Sequence, residues 1–333
     1  MKNKNFIVTL SIAFAVLSLC AGESAAQINE EKAEKSLEIS KIERPRFRVY
    51  SSAAQFIGYD SNVLLQSESK GAMFEETIYS FGLHRPLDNN MGMTFNYDVD
   101  YINYNSSISA TNLLNHLRLS LYKKQGPFQA GGGYDFSYSY FPHEAAGDFF
   151  FHKGFVYLKN FLNRKLYHQV MFEYGYKPHV SRKALGDTIS TFQDKAEVEK
   201  RSLVEYAIVY QPLMRLSLVL RARFFKNDAN DRYLDFYDYS AYELSPRVRY
   251  IFNPRTDAVL NFVYLNKDYK TRTVTNETDK EEDDTYAANF ILRYKLNSRN
   301  IVSLNYSYRD NSSNDNLQRY NENIFSLGWQ YDF

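Results

Sequence analysis

The chain of 333 residues has one cysteine, one tryptophan, 14 glycines and 8 prolines. That cysteine, Cys20, lies inside an apolar N-terminal stretch. If this stretch is a leader removed after Ala26, no cysteine remains, and a disulfide framework, a thiolate nucleophile and a cysteine metal site are all excluded. Excess charge is also lacking. Lys and Arg total 40 against 39 Asp and Glu, and the leader takes Lys2, Lys4 and Glu23, leaving 38 of each sign. A neutral chain has no general electrostatic grip on nucleic acid. Beyond the leader no apolar run reaches the roughly 18 residues of a membrane helix. The six histidines (His84, His116, His143, His152, His168, His179) form no His-x-x-x-His pair, and no Gly-x-Ser-x-Gly elbow occurs. No catalytic residue, metal site or cofactor is therefore expected; His116 and His168, on strand segments, are the positions where a serine partner would reopen that question.

The N-terminus reads as an export signal: a basic Met1–Asn5, an apolar run from Phe6 to Leu19, then Ser24-Ala25-Ala26 as a small-x-small cleavage site. The rival reading, a lipoprotein with lipidated Cys20, fits poorly because Leu19 stands where a small residue is needed. Gln27 to Pro45 is charged and poor in apolar residues, and reads as a periplasmic lead-in, with a short plug or partner-binding segment as the alternative.

What the chain does have is 29 Tyr and 25 Phe at a mean hydropathy of −0.50. Many aromatics in a hydrophilic average suit strands with one apolar and one polar face. Val204, Tyr206, Ile208 and Tyr210 alternate with Glu205; Tyr286, Ala288, Phe290, Leu292 and Tyr294 with Asn289, Arg293 and Lys295. Leu216, Leu218 and Leu220 oppose Arg215, Arg221 and Arg223, and Tyr134, Phe136, Tyr138 and Tyr140 oppose Asp135, Ser137 and Ser139. Six tight turns, at 85–90, 124–127, 161–164, 211–214, 252–255 and 296–300, alternate strictly with seven longer polar connections, at 59–71, 105–112, 142–148, 180–196, 227–236, 271–282 and 311–317. Thirteen connections join fourteen strands, an even number that leaves both ends of residues 46–333 on one side. The expected fold is all-β: a transmembrane antiparallel up-and-down barrel, with short turns on one side and long loops on the other.

The last eleven residues place Phe325, Leu327, Trp329, Tyr331 and Phe333 on one face and Ser326, Gly328, Gln330 and Asp332 on the other. This ending resembles the closing strand of bacterial outer-membrane β-barrels. The resemblance implies recognition of those five residues by the barrel-insertion machinery, a setting of outer-membrane lipid and lipopolysaccharide, and a porin-like channel for small hydrophilic solutes. Gly58-Tyr-Asp-Ser-Asn-Val63 resembles an element of some porin-like and surface-lipoprotein-assembly barrels, although an Asx-type turn at Asp60, Ser61 and Asn62 suffices to explain it.

The polar faces carry Asp98, Asp100, Asp135, Glu173, Lys177, Arg201, Glu205, Arg221, Arg223, Arg247, Arg249, Arg293 and Lys295. Arg221, Arg223, Arg247, Arg249 and Arg293 are the expected positive lumen wall, with Asp98, Asp100 and Asp135 on the opposite one; salt-bridged pairs that rigidify the lumen are the other reading. The acidic run 279–284 reads as a solvated loop, or as a cation site near lipopolysaccharide. Two further functions stay open: a plugged docking or surface-assembly barrel acting through its loops or lead-in, and an outer-membrane hydrolase. Solute identity and oligomeric state are not encoded legibly.

Overall fold

The computed structural model describes residues 47–67, 70–275 and 277–333. The leader 1–26, with Cys20 and Ala26, and the lead-in 27–45 lie outside the described residues. Fourteen strands follow in order: β1 Arg48–Asp60, β2 Ala72–Pro86, β3 Met91–Tyr104, β4 Asn112–Gln125, β5 Phe128–Tyr140, β6 Phe149–Asn163, β7 Leu166–Leu185, β8 Phe192–Leu213, β9 Leu216–Ala229, β10 Tyr239–Asn253, β11 Thr256–Thr273, β12 Lys280–Lys295, β13 Asn300–Ser313 and β14 Tyr320–Asp332. Each pairs antiparallel with its chain neighbours, and β14 closes the cylinder on β1 from Ser52↔Asp332 to Asp60↔Ile324.

Closure follows from the two-residue period, because a strand with one apolar face and no free edge satisfies its backbone in lipid only inside a complete ring. On β8, Val204, Tyr206 and Tyr210 are exposed while Glu205 and Ala207 between them are buried. Val156, Phe224, Leu327 and Tyr79 remain more than half exposed, a surface that water would not tolerate but hydrocarbon does. Outer aromatics Tyr176, Tyr242, Tyr264, Tyr286 and Tyr308 mark one boundary; Tyr210, Tyr250, Tyr294 and Trp329 mark the other.

All six tight turns fall at one end and all seven longer connections at the other, as the sequence predicts. In outer-membrane barrels the short-turn end faces the periplasm. Gly126, the sole glycine with positive φ (+57°) among the described residues, closes the β4–β5 turn. Gly82 serves a different need: a Cβ there would sit 1.7 Å from the ring of Tyr50, which lies across the missing side chain.

The structure corrects three of the expected connections. The segment 180–196 is not a long loop: β7 and β8 run on to Leu185 and from Phe192, leaving only 186–191 between them. Likewise β9 continues to Ala229, and β11 and β12 extend to Thr273 and from Lys280. The acidic run is not a solvated loop: it opens β12, where Glu281 and Asp283 point inward and are buried while Glu282 points outward and is exposed, so its carboxylates divide between two faces. Charge made these stretches look like loops. In the fold their charges face one another across the rim, so the ladder persists above the membrane.

Candidate lumen and outer-mouth site

A ring of fourteen strands spaced about 4.8 Å apart and tilted about 40° has a backbone diameter of about 28 Å. All eight predicted lumen charges lie on the inner face. On β9 and β10, Arg221, Arg223, Arg247 and Arg249 alternate with exposed Leu220, Phe224, Val248 and Tyr250. Asp98 and Asp100 alternate with exposed Tyr97 and Tyr101, and Asp135 with exposed Tyr134.

The registers bring several of these charges into ion pairs. Arg223 donates from Nε to Glu205 at 2.7 Å and from Nη1 to Glu243 at 3.2 Å. Arg249 and Arg293 converge on Asp257, donating from Nε at 3.0 and 3.2 Å. On the facing wall His116 lies 2.8 Å from Asp135 and 3.6 Å from Asp98, and Lys153 lies 3.4 Å from Asp135. Arg221 and Arg247 have partners as well. The sequence alone does not single out Asp257, Glu243 and Lys153, because which inward charges meet is decided by register rather than by strand phase. Water still reaches this level: the side chains of Asp98, His116, Lys153 and Arg249 keep 13, 22, 16 and 23% of their surface.

Above the outer aromatics the interior changes character. Loops 61–67, 105–111 and 141–148 fold inward, and Val63, Ala110 and Phe141 pack on Phe74 and Tyr104. The Asp60-Ser61-Asn62 element forms the Asx turn, with Asp60 Oδ1 accepting from the Asn62 amide at 2.8 Å. It also staples the barrel seam, since Asn62 Nδ2 donates to the Asn321 carbonyl and Ser61 Oγ accepts from the Asn323 amide. This accounts for the motif without a family-specific role.

On the other side, β7 and β8 carry a buried cluster. Lys177 Nζ donates to Glu199 at 2.9 Å, His179 Nε2 lies 2.9 Å from the same carboxylate, and Arg182 Nη2 binds Glu197 and Glu199. The oxygens of Glu197 and Glu199 and the imidazole of His179 lie close enough for one metal ion. The Arg182 guanidinium bonds all three of these residues, so the cationic centre of the group is the arginine itself. Arg182 also lies 5.1 Å from the Tyr237 ring, and Arg272, paired to Glu281 at 2.7 Å, lies 4.4 Å from the Phe236 ring. Two arginines thus clasp loop 230–238 from neighbouring strand pairs, and the Asp231 carboxylate accepts from the Leu185 amide at 2.6 Å.

Burial is the main force on these groups. It pushes Glu197 up to about 8 against the pull of Arg182, with Glu199 and Asp231 adding to the rise. Burial and the nearby Arg182 and Lys177 hold His179 down at about 3, so it is neutral. Burial, with Glu199 and Asp231 nearby, outweighs Arg182, so Glu197 is the carboxyl that keeps a proton at neutral pH. A carboxyl whose folded pKa lies above its unfolded value contributes stability that is complete below the unfolded value and lost as pH rises through the folded one. Amide exchange at the β7–β8 tip, corrected for intrinsic rate, is therefore expected to be faster at pH 9 than at pH 6. Glu197→Gln, which is neutral throughout, should remove that difference; an unchanged difference would assign the proton elsewhere.

Three of the remaining histidines have neutral hydrogen-bond partners. His152 sits on the lipid face 2.6 Å from the Tyr134 hydroxyl, His168 lies 3.2 Å from Asn160 Nδ2, and His84 lies 3.0 Å from the Tyr122 hydroxyl.

No protein-family profile and no curated protein sequence matches the chain. Solved structures do. The outer-membrane protein OmpT of Vibrio cholerae aligns over 89% of this chain and all of its own, at 12% identity and a TM-score of 0.52. An anion-selective porin from Comamonas acidovorans aligns over 87% of this chain and all of its own, at 9% identity and a TM-score of 0.50. The chain has the outer-membrane β-barrel fold.

Proposed function

We propose that this barrel is a porin-like channel for small hydrophilic solutes. The observation that carries the reading is the hydrated, two-signed lumen wall, with Asp98, Asp135, His116 and Lys153 on one side and the arginines of β9 and β10 on the other. Such a wall imposes a transverse field on whatever passes. The likeness to an anion-selective porin supports the class and nothing finer. In this reading the barrel catalyses no reaction.

Planar-bilayer recording of the purified full chain tests it. Discrete conductance steps are expected, and Arg221→Ser with Arg223→Ser should move the reversal potential toward cation preference, because Glu205 and Glu243 lose their counter-ion. Unchanged selectivity would leave these arginines as struts. Absence of any current would favour the second reading, a docking barrel acting through its loops. What favours that reading is the packed outer mouth, where Phe141, Leu65 and Tyr269 are at most 2% exposed.

A further inference from the structure

Between the hydrated lumen and the packed mouth stand two inward cations with no carboxylate within ion-pair distance, although Glu173 and Glu199 act on Arg201, and Asp283 and Glu281 on Lys267, from farther off. Arg201 on β8, Asn227 on β9, Tyr239 on β10 and Tyr269 on β11 form one cross-strand row, and Lys267 lies one pair below it. Among the described residues neither Arg201 nor Lys267 makes a carboxylate ion pair, whereas Lys153, Lys177, Arg223, Arg249, Arg272 and Arg309 each do. Arg201 spends one hydrogen bond on a neutral hydroxyl, Tyr239 at 3.1 Å, and its Nε is buried with no acceptor. Lys267 is only 5% exposed. Its cross-strand neighbour Asp283 accepts instead from the Tyr269 hydroxyl at 3.4 Å, and its other oxygen has no partner.

Both cations border one ring. Lys267 Nζ lies 5.2 Å from the centroid of Tyr239, whose hydroxyl binds Arg201. Arg201 is also 5.5 Å from the Phe225 ring and 5.9 Å from Phe151. A ring face attracts a cation but is a weak hydrogen-bond acceptor, so Arg201 Nε is left without an oxygen partner. A buried cation left this way is unfavourable unless something else completes it. Arg201 and Phe151 are half-buried and keep surface toward the lumen, which leaves the pair approachable from the hydrated side.

We propose that Arg201 and Lys267 form an anion subsite of the lumen, and that its ligand is a small organic acid: a carboxylate on a flat apolar body. The carboxylate accepts from the Arg201 guanidinium and the Lys267 ammonium, while the apolar body lies against Phe151, Phe225 and Tyr239. A planar guanidinium suits a carboxylate's two oxygens, and the aromatic surroundings select an organic anion over a bare inorganic one. The inference deepens the channel reading by giving the solute a class, but the binding itself needs no current.

The probe is benzoate, titrated calorimetrically into the detergent-solubilised full chain, beside benzyl alcohol (ring without charge) and acetate (charge without ring). Benzoate should bind at least tenfold more tightly than either. Lys267→Met and Arg201→Met should each weaken it at least tenfold, and Lys267→Met should melt no lower than the parent, since the deleted charge had no ion pair to lose. Equal affinity for the three probes overturns the proposal without any variant. So does benzoate binding that both variants leave unchanged, or a large fall in melting temperature in Lys267→Met, which would make the ammonium a strut. Bilayer recording separates the two readings: benzoate binding without current sinks the channel and keeps the subsite, and current without benzoate binding does the reverse.

Discussion

Leu327→Arg is expected to abolish assembly, with the variant missing from the membrane fraction or lacking the heat-modifiable gel mobility of a folded barrel. Leu327 is 55% exposed on the lipid face, opposite Leu304 on β13 and Ile57 on β1, and so sits away from both aromatic boundaries. A guanidinium near the bilayer midplane costs on the order of 2–4 kcal/mol. A folded domain has only about 5–15 kcal/mol in total, and this strand also has to close the ring. Gln330, three residues on, points into the lumen and is half-buried. Gln330→Arg introduces the same charge on the wet side and should assemble. If Leu327→Arg folds as well as Gln330→Arg, the two faces of β14 have been assigned the wrong way round.

Removing Arg182 is expected to open the outer mouth without unfolding the barrel. Arg182→Met leaves Glu197 and Glu199 facing each other in a buried site, and breaking a buried pair in this way costs about 3–5 kcal/mol. The bridge from Lys270 to Asp235, with side chains 57 and 40% exposed, is screened by water and holds the loop only weakly. The buried clasp therefore dominates the hold on loop 230–238. Amide exchange at 182–185, 192–198 and 230–238 should accelerate on the order of a hundredfold or more, while amides of β1–β4 stay protected. Adding Glu197→Gln to Arg182→Met should change little near pH 7, where Glu197 already holds a proton and the stranded charge is that of Glu199. Equal exchange in the parent and in Arg182→Met would mean that backbone pairing alone holds the hairpin.

Much of this fold is legible along the chain because its physics is local. Alternation at 204–210 or 286–294 depends on neighbours two residues away, and turn chemistry at 85–90 or 252–255 on four or five residues. Strand number, phase of the faces and the asymmetry of the two ends follow from these alone. The inward direction of Arg221, Arg223, Arg247, Arg249 and Arg293 follows with them. The segment 180–196 is not legible in this way, because charge signals solvent unless an opposite charge stands across the rim, and the sequence does not show what stands across.

Partnership was settled only by closure and register. The same alternation that turns Arg223, Arg249 and Arg201 inward says nothing of Glu205 and Glu243 meeting the first, Asp257 the second and no carboxylate the third. Each such pairing joins residues on different strands, and a shift of one residue along any ladder would replace every partner on it. The period of two along each strand determined which side chains face lipid and which face the lumen. Closure of the ring, with the infolding of its loops, decided which lumen charges meet an opposite charge at ion-pair distance and which, like Arg201 and Lys267, do not.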